Sequence, residues 1–195
     1  MVSTGADVNF VVFDTEVYSN TGGQMSKSTP TAAVAKFASK GKGTRKKDLG
    51  RMLMTYENVY IAQIAMGADM NHTLQAIKEA ESFEGPSVLI AYAPCINHGI
   101  KEGMGRSIDN MRQAVESGYF HLYRFDPRRE EKGENVFSLD SKAPSKEYID
   151  YIKGQLRYTY LEKAAPKEAE KMYQHAKEDA HRRYEIYKQM SQQQV

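Results

Sequence analysis

One cysteine, Cys95, in 195 residues cannot close an internal disulfide. A secretory signal is missing as well, because Met1-Val2-Ser3-Thr4-Gly5 lacks a basic segment followed by an apolar one. The expected compartment is therefore a reducing cytoplasm. No apolar run approaches the roughly 20 residues of a bilayer-spanning helix, so no membrane is expected. Charge of one sign is scarce: a formal net charge of +2 selects no partner. The basic residues are not interleaved with aromatics as nucleic-acid surfaces require, so no nucleic acid is expected. There is no internal repeat and no low-complexity segment. A phosphate-binding glycine loop ahead of the first strand is also lacking. Only about seven residues precede that strand, and the chain is expected to begin partway into a fold.

What is present suits one soluble globular domain with a short extension. A content of 41% hydrophobic and 27% charged residues excludes wholesale disorder. The chain is organised around Asp14-Thr15-Glu16-Val17-Tyr18-Ser19-Asn20-Thr21-Gly22-Gly23-Gln24. Before it comes the apolar run Val8-Asn9-Phe10-Val11-Val12-Phe13, expected to be a strand buried on both faces. The run stops at an acid and gives way to hydroxyls, an amide and two glycines. Ligands of open α/β sheets sit at the carboxyl ends of strands, and such oxygen groups suit a hard cation, Mg2+, beside a phosphate. The plainer reading of Asp14 in that place is a cap or turn residue.

Further along, Ser28-Thr29-Pro30 supplies a cap and a proline for a first helical turn. Residues 31–39 are expected to form a short Ala-rich helix with Val34 and Phe37 inward. Residues 40–47 form a loop whose Lys40, Lys42, Arg45, Lys46 and Lys47 either attract an anionic ligand or are simply solvated. A helix over 48–56 follows, with Leu49, Met52 and Leu53 on one face, and then a strand over 59–65. The next helix, 71–82, has Leu74, Ile77 and Ala80 inward. A buried strand over 87–93 ends at Pro94-Cys95, a helix spans 106–117, and a fourth strand spans 119–125. This alternation predicts parallel strands with right-handed crossovers: a doubly wound α/β sheet, mostly parallel.

Composition shifts at Asp126, so the division is placed there, with 1–126 as the α/β domain and 127–195 as a connection and helical C-terminal extension. Residues 136–140 suggest an edge segment. A helix after Pro144-Ser145 carries Tyr148, Ile149, Ile152 and Leu156 as a stripe. Pro166 breaks the pattern and opens a second helix. Its thin stripe of Ala169, Met172, Tyr173, Ala176, Ala180, Tyr184 and Tyr187 cannot build its own core. That helix is expected to lie across this chain or a partner.

Two separated segments are family-specific. The run from Asp14 to Gln24, continued by Ser26-Lys27-Ser28-Thr29-Pro30-Thr31 and Lys46-Lys47-Asp48-Leu49-Gly50, resembles the pyruvate:ferredoxin and pyruvate:flavodoxin oxidoreductases. So does Tyr92-Ala93-Pro94-Cys95-Ile96-Asn97-His98-Gly99-Ile100. The resemblance runs from about residue 2 to at least residue 160 and points to the carboxyl end of a much longer polypeptide. It implies a thiamine-diphosphate-binding domain lacking its first strand and holding only the second half of the cofactor motif. Thr15 would then give its hydroxyl, and Val17 its backbone carbonyl, to Mg2+. Asn20, the candidate catalytic residue, would turn its amide toward the thiamine and substrate. Gly22 and Gly23 would let the backbone pass close to the cofactor. A carbonyl ligand accounts for an apolar valine in a metal site.

Glu16 and Tyr18 would orient the loop or pack under it. The glutamate that activates thiamine normally comes from another domain of this family, and Glu16 is not assigned that role. Cys95, by itself, reads as an inert buried hydrophobe. The resemblance implies instead one of four ligands to a [4Fe-4S] cluster, with His98 either polarising the cluster from behind or packing. His72, His121, His175 and His181 have no ligand spacing and read as surface or packing residues.

The function so implied is oxidative decarboxylation of pyruvate to acetyl-CoA and CO2 in anaerobic metabolism. Coenzyme A accepts the acetyl group, and electrons pass through iron–sulfur clusters to ferredoxin or flavodoxin. The rest of the same polypeptide is a partner, the full-length enzyme is expected to be a homodimer, and the chain alone is expected to be inactive. Two other readings stay open: a non-enzymatic phosphate- or nucleotide-binding α/β module, and a complementing subunit of a split enzyme.

Overall fold

The computed structural model describes residues 2–193; the outer limits drawn at 1 and 195 fall outside them. Five strands form the main sheet in the order β1-β5-β4-β6-β7, and a two-stranded hairpin, β2 with β3, leaves its edge. These are β1 (Val8–Asp14), β2 (Val17–Tyr18), β3 (Gln24–Met25), β4 (Tyr60–Ile64), β5 (Pro86–Tyr92), β6 (Tyr123–Phe125) and β7 (Phe137–Leu139). β1, β5 and β4 run parallel. Helix α1 (Leu49–Met54) is capped by Asp48, which accepts the Arg51 N–H, and α2 (Met70–Glu81) by Asp69, which accepts the His72 N–H.

The two helices cover opposite faces. Ile61, Val88 and Ile90 pack with Met54 of α1, whereas Tyr60, Ala62, Ile64 and Leu89 pack with Ala76 and Ala80 of α2. Side chains alternate along a strand, so β4 and β5 are apolar on both faces. The sheet is doubly wound and mostly parallel, as the alternation of apolar segments implied.

Four expectations are corrected. First, β1 is an edge strand, and α2 does not reach over it. Phe10 and Val12 face the α1 side, while Val11 and Phe13 are 52% and 70% exposed on the other. Second, β6 is antiparallel to β4. The connection through α3 (Ser107–Glu116) never returns to the amino edge of the sheet. Ile108 packs on Gly67, just past β4, and Phe120 stacks on Tyr92 at the end of β5. A strand that starts from the carboxyl edge has to run back, antiparallel to β4. Third, residues 31–39 are not helical. Ala32 and Phe37 have left-handed φ values of 70° and 69°, and the Ala33 carbonyl and Val34 N–H bond Lys42 and Arg157 instead of a helical turn. Ala32 and Ala33 are fully buried as irregular chain, and Phe37 is exposed. Fourth, the inward face of α2 is His72, Thr73, Ala76 and Ala80, with Leu74 and Ile77 half exposed.

The carboxyl-terminal part joins the same body. β7 extends the sheet beside β6 as its far edge. Helices α4 (Tyr148–Lys153), α5 (Leu156–Ala164) and α6 (Pro166–Gln192) pack Tyr151, Ile152, Leu161, Ala169 and Tyr173 into one cluster with Ala32, Ala33, Tyr92 and Phe120. Helix α6 therefore lies across this chain, with Ala169, Tyr173, Ala176, Ala180 and Tyr187 buried along its stripe. No helix among the described residues is long and apolar enough to cross a membrane.

Candidate functional site

β1 and β5 are neighbours in register, Asp14 beside Tyr92, so both family-specific segments leave the sheet at the same edge. Asp14 closes β1. Its carboxylate accepts the Ser28 hydroxyl at 2.6 Å, the Glu16 N–H at 3.2 Å and the Lys46 ammonium at 2.5 Å. The chain then kinks at Glu16, whose φ of 62° is left-handed and tolerated only where surrounding contacts hold it.

The kink brings the Thr15 hydroxyl onto the Val17 carbonyl at 3.0 Å. The same carbonyl accepts the Ser19 N–H at 2.9 Å. Two oxygens bound at right angles to Mg2+, with bonds of about 2.0–2.1 Å, lie about 2.9 Å apart. The separation of the pair matches that spacing, and an ion held by both oxygens would replace the hydrogen bond that Thr15 donates to the carbonyl. The β2–β3 hairpin carries the remainder, with Asn20 exposed near its tip. Gly22 and Gly23 follow at φ values of 107° and 85°; a Cβ on Gly23 would stand 2.3 Å from the Asn97 amide oxygen. The second glycine thus makes room for the segment that carries Cys95. A cavity of about 170 Å3 opens here, lined among others by Asp14, Thr15, Val17, Ser26, Ser28 and Lys46.

Beneath the loop lies a charge network. Glu16 is 2% exposed. One carboxylate oxygen takes Lys46 at 2.7 Å; the other takes Arg157 and the Tyr119 hydroxyl, each at 2.6 Å. Burial by itself raises a carboxyl pKa, but Lys46, Arg157 and His98 outweigh it and hold Glu16 well below the usual range, so it is ionised. Thr29 donates to the Glu16 carbonyl at 2.5 Å. Lys42, at 4% exposure, gives its ammonium to the carbonyls of Lys27, Thr29 and Arg45. Burial and the nearby Lys46 and Lys27 charges lower its pKa to about 8. In the basic loop, then, Lys42 and Lys46 are structural anchors, while Lys40, Arg45 and Lys47 are exposed.

Cys95 is partly exposed, at the start of a single 3-10 turn, Ile96–His98. Its N–H donates to His98 Nδ1 at 3.0 Å. That acceptor role leaves the imidazole proton on Nε2, which faces Glu16 at 3.4 Å. His98 is fully buried, and burial with the Arg157 charge lowers its pKa to about 4, so the ring is neutral. Among the described residues no group of three or more His, Cys, Asp or Glu comes together around a metal position.

The comparisons agree with the two segments. Over 191 residues, 98% of the chain, it is 54% identical to a pyruvate-flavodoxin oxidoreductase of Klebsiella pneumoniae. It is 50% identical over the same length to a pyruvate:ferredoxin oxidoreductase of Moorella thermoacetica. A mitochondrial pyruvate dehydrogenase [NADP(+)] of Euglena gracilis is 45% identical over 190 residues, 97% of the chain. The chain corresponds to one segment of these pyruvate oxidoreductases. It spans 16% of the length of the Klebsiella and Moorella relatives and 10% of the Euglena one. No protein-family model matches it.

Set beside the oxidoreductase motifs, the geometry brings Thr15, Val17, Gly22 and Gly23 together with the Cys95 turn, and leaves Asn20 on the exposed hairpin. Tyr18 is 60% exposed and does not pack under the loop; Glu16 does. His72 and His121 are packing residues: both are buried, and His72 Nε2 lies 3.0 Å from Asp140. Sequence reasoning missed Arg157 and Tyr119. The one signal for Arg157 was a charged residue beside Tyr158, and its partner, Glu16, lies 141 positions away.

Proposed function

We propose that this chain closes a thiamine diphosphate–Mg2+ site and contributes one thiolate to a [4Fe-4S] cluster. The whole enzyme would be a 2-oxoacid oxidoreductase that converts pyruvate and coenzyme A to acetyl-CoA and CO2 and passes two electrons to ferredoxin or flavodoxin. The observation that carries this reading is the pair of oxygens on Thr15 and Val17 at the carboxyl end of β1, 3.0 Å apart, beside the Cys95 turn at the end of β5. Thr15 Oγ1 and the Val17 carbonyl would take two positions on Mg2+, with phosphate oxygens and residues outside this chain taking the others. When bound, thiamine diphosphate supplies an electron sink for decarboxylation, and the cluster supplies a one-electron path outward.

The chain's own residues orient and shield. The Glu16 kink sets the two oxygens side by side where Thr15 and Val17 line the cavity. Asn20 presents its amide on the hairpin, where thiamine and substrate would approach, and Gly22 and Gly23 keep that approach free of side chains. Cys95 offers its sulfur from a turn whose backbone His98 fixes. In this reading residues 1–126 carry the half-sites, and 127–195 brace them through Arg157. The relatives' names differ in their electron acceptor while this segment stays similar, which supports assigning it to the cofactor end of the enzyme.

Thr15→Val in the longer polypeptide tests the reading. Mg2+-dependent affinity for thiamine diphosphate, measured by calorimetry, should fall at least tenfold, with Thr15→Ser within a few-fold of the parent. Unchanged affinity in Thr15→Val would sink it. The chain alone, given pyruvate, coenzyme A, thiamine diphosphate and ferredoxin, should show no turnover.

A further inference from the structure

We infer that Glu16 is a positioning residue shared by both half-sites: it fixes the Thr15–Val17 oxygens and the Cys95 turn relative to each other. The inference rests on the reading above and extends it from two sites to one coupled unit.

Three observations carry it. The first is covalent. Glu16 sits between Thr15 and Val17 in left-handed backbone, φ 62°, a conformation costly for a residue with a side chain. The direction in which both oxygens point therefore depends on whatever holds Glu16 in place. Its main chain is held by Asp14 on its N–H and Thr29 on its carbonyl, its side chain by Lys46, Arg157 and Tyr119.

The second is the link to Cys95. His98 receives the Cys95 N–H on Nδ1 at 3.0 Å and turns Nε2 toward the Glu16 carboxylate at 3.4 Å. A neutral imidazole offers one acceptor and one donor nitrogen: the acceptor is committed to the Cys95 N–H, and the donor, which has no hydrogen-bond partner among the described residues, stands 3.4 Å from the Glu16 carboxylate. With His98 fully buried, this contact is shielded from bulk solvent.

The third is bracing from a distance. Arg157 on α5 bonds Glu16 and Tyr119, at 2.6 and 2.8 Å, and the Gln155 amide oxygen at 2.8 Å. Leu156 N–H donates to the Gly99 carbonyl at 2.8 Å, just past the Cys95 turn. The same short stretch of chain thus grips the metal loop through a side chain and the cysteine turn through its backbone. A purely local salt bridge would touch one of them only.

The test is crossed, and uses the longer polypeptide loaded with thiamine diphosphate, Mg2+ and clusters. His98→Gln lies on the cysteine side, and it should weaken Mg2+–thiamine diphosphate binding by three- to tenfold. Glu16→Gln lies on the metal side, and it should change the electron paramagnetic resonance signature and midpoint potential of the cluster that Cys95 ligates. Tyr119→Phe removes one hydroxyl from Glu16 and keeps the charges balanced. It should move both readouts in the same directions by smaller amounts, and stands in if Glu16→Gln does not fold. If each variant alters only the group nearest to it, or Tyr119→Phe alters neither, the coupling is overturned. Thr15→Val and Cys95→Ser separate the two levels: if the first leaves cofactor affinity, or the second leaves the cluster signal, the functional reading itself fails.

Discussion

Arg157 meets Glu16 at 2.6 Å across 141 positions of chain, with both side chains 2% exposed or less. A charge pair in so dry a place is costly to halve. Removing Arg157 leaves Glu16 with Lys46 and Tyr119 but with one oxygen short of its cation, and breaking such a buried pair costs about 3–5 kcal/mol. Arg157→Met should therefore lower the unfolding free energy by about that amount in urea titrations. Arg157→Lys should recover only part of it, because a lysine cannot serve Glu16, Tyr119 and Gln155 from one planar fork. A loss within 1 kcal/mol in Arg157→Met would show that the pair is not buried as described.

Gly23 and Asn97 are a second long-range pair. A Cβ at residue 23 would stand 2.3 Å from the Asn97 side chain, at φ 85°. Gly23→Ala therefore carries a clash and backbone strain, the latter of order 1–3 kcal/mol. Asn97→Ala in the same chain removes the clash and leaves the strain. The double variant should be more stable than the Gly23→Ala single, with a coupling above about 0.5 kcal/mol in a double-mutant cycle. Strict additivity would place the hairpin away from the Cys95 segment.

The fold was legible where a signal was local. The sheet core came from the β-branched and aromatic runs read at 59–65 and 87–93, the last helix from Pro166 and a three- and four-residue stripe. Both candidate segments came from contiguous residues, Thr15 to Gly23 and Cys95 to His98. What stayed hidden depended on neighbours in space. β1 has the apolar content of a central strand, yet its exposed face follows from α2 lying over β4 and β5. Residues 31–39 have helical composition, but left-handed turns at Ala32 and Phe37 tie them to Lys42 and Arg157. The antiparallel run of β6 depends on where α3 begins and ends in space. Arg157 carried no local sign that its partner was Glu16.

The exposed face of β1 gives a contrast in stability. Phe13 is 70% exposed, whereas Ile61, one strand beyond β5, is fully buried. Phe13→Ser should change the unfolding free energy of the chain by no more than about 0.5 kcal/mol. Ile61→Ala should cost about 2–5 kcal/mol through lost burial and the cavity left behind. The comparison is made by urea midpoints at fixed slope. A large loss in Phe13→Ser would mean that this face is covered.

Acid should weaken the fold from about pH 6.5 downward, through buried histidines. His121 is 1% exposed and packs on Tyr184 and Tyr187. Burial, with the Arg183 charge, lowers its pKa from 6.5 to about 3, against a backbone bond at Ala180. As pH falls below 6.5 the unfolded chain gains a proton at this position that the folded chain refuses until about pH 3. Stability therefore declines through that window, by up to about 1.4 kcal/mol per pH unit for one such group. His98, lowered to about 4, acts with the same sign over 6.5 to 4. Glu16, held low, adds its loss only below the ordinary carboxylate range. Between pH 6.5 and 5, His121→Gln should flatten the fall by up to about 2 kcal/mol, and leave the part due to His98. Urea midpoints of parent and variant across that interval decide it. Parallel curves would mean that His121 is protonated in the folded chain, and that Arg183 does not face it.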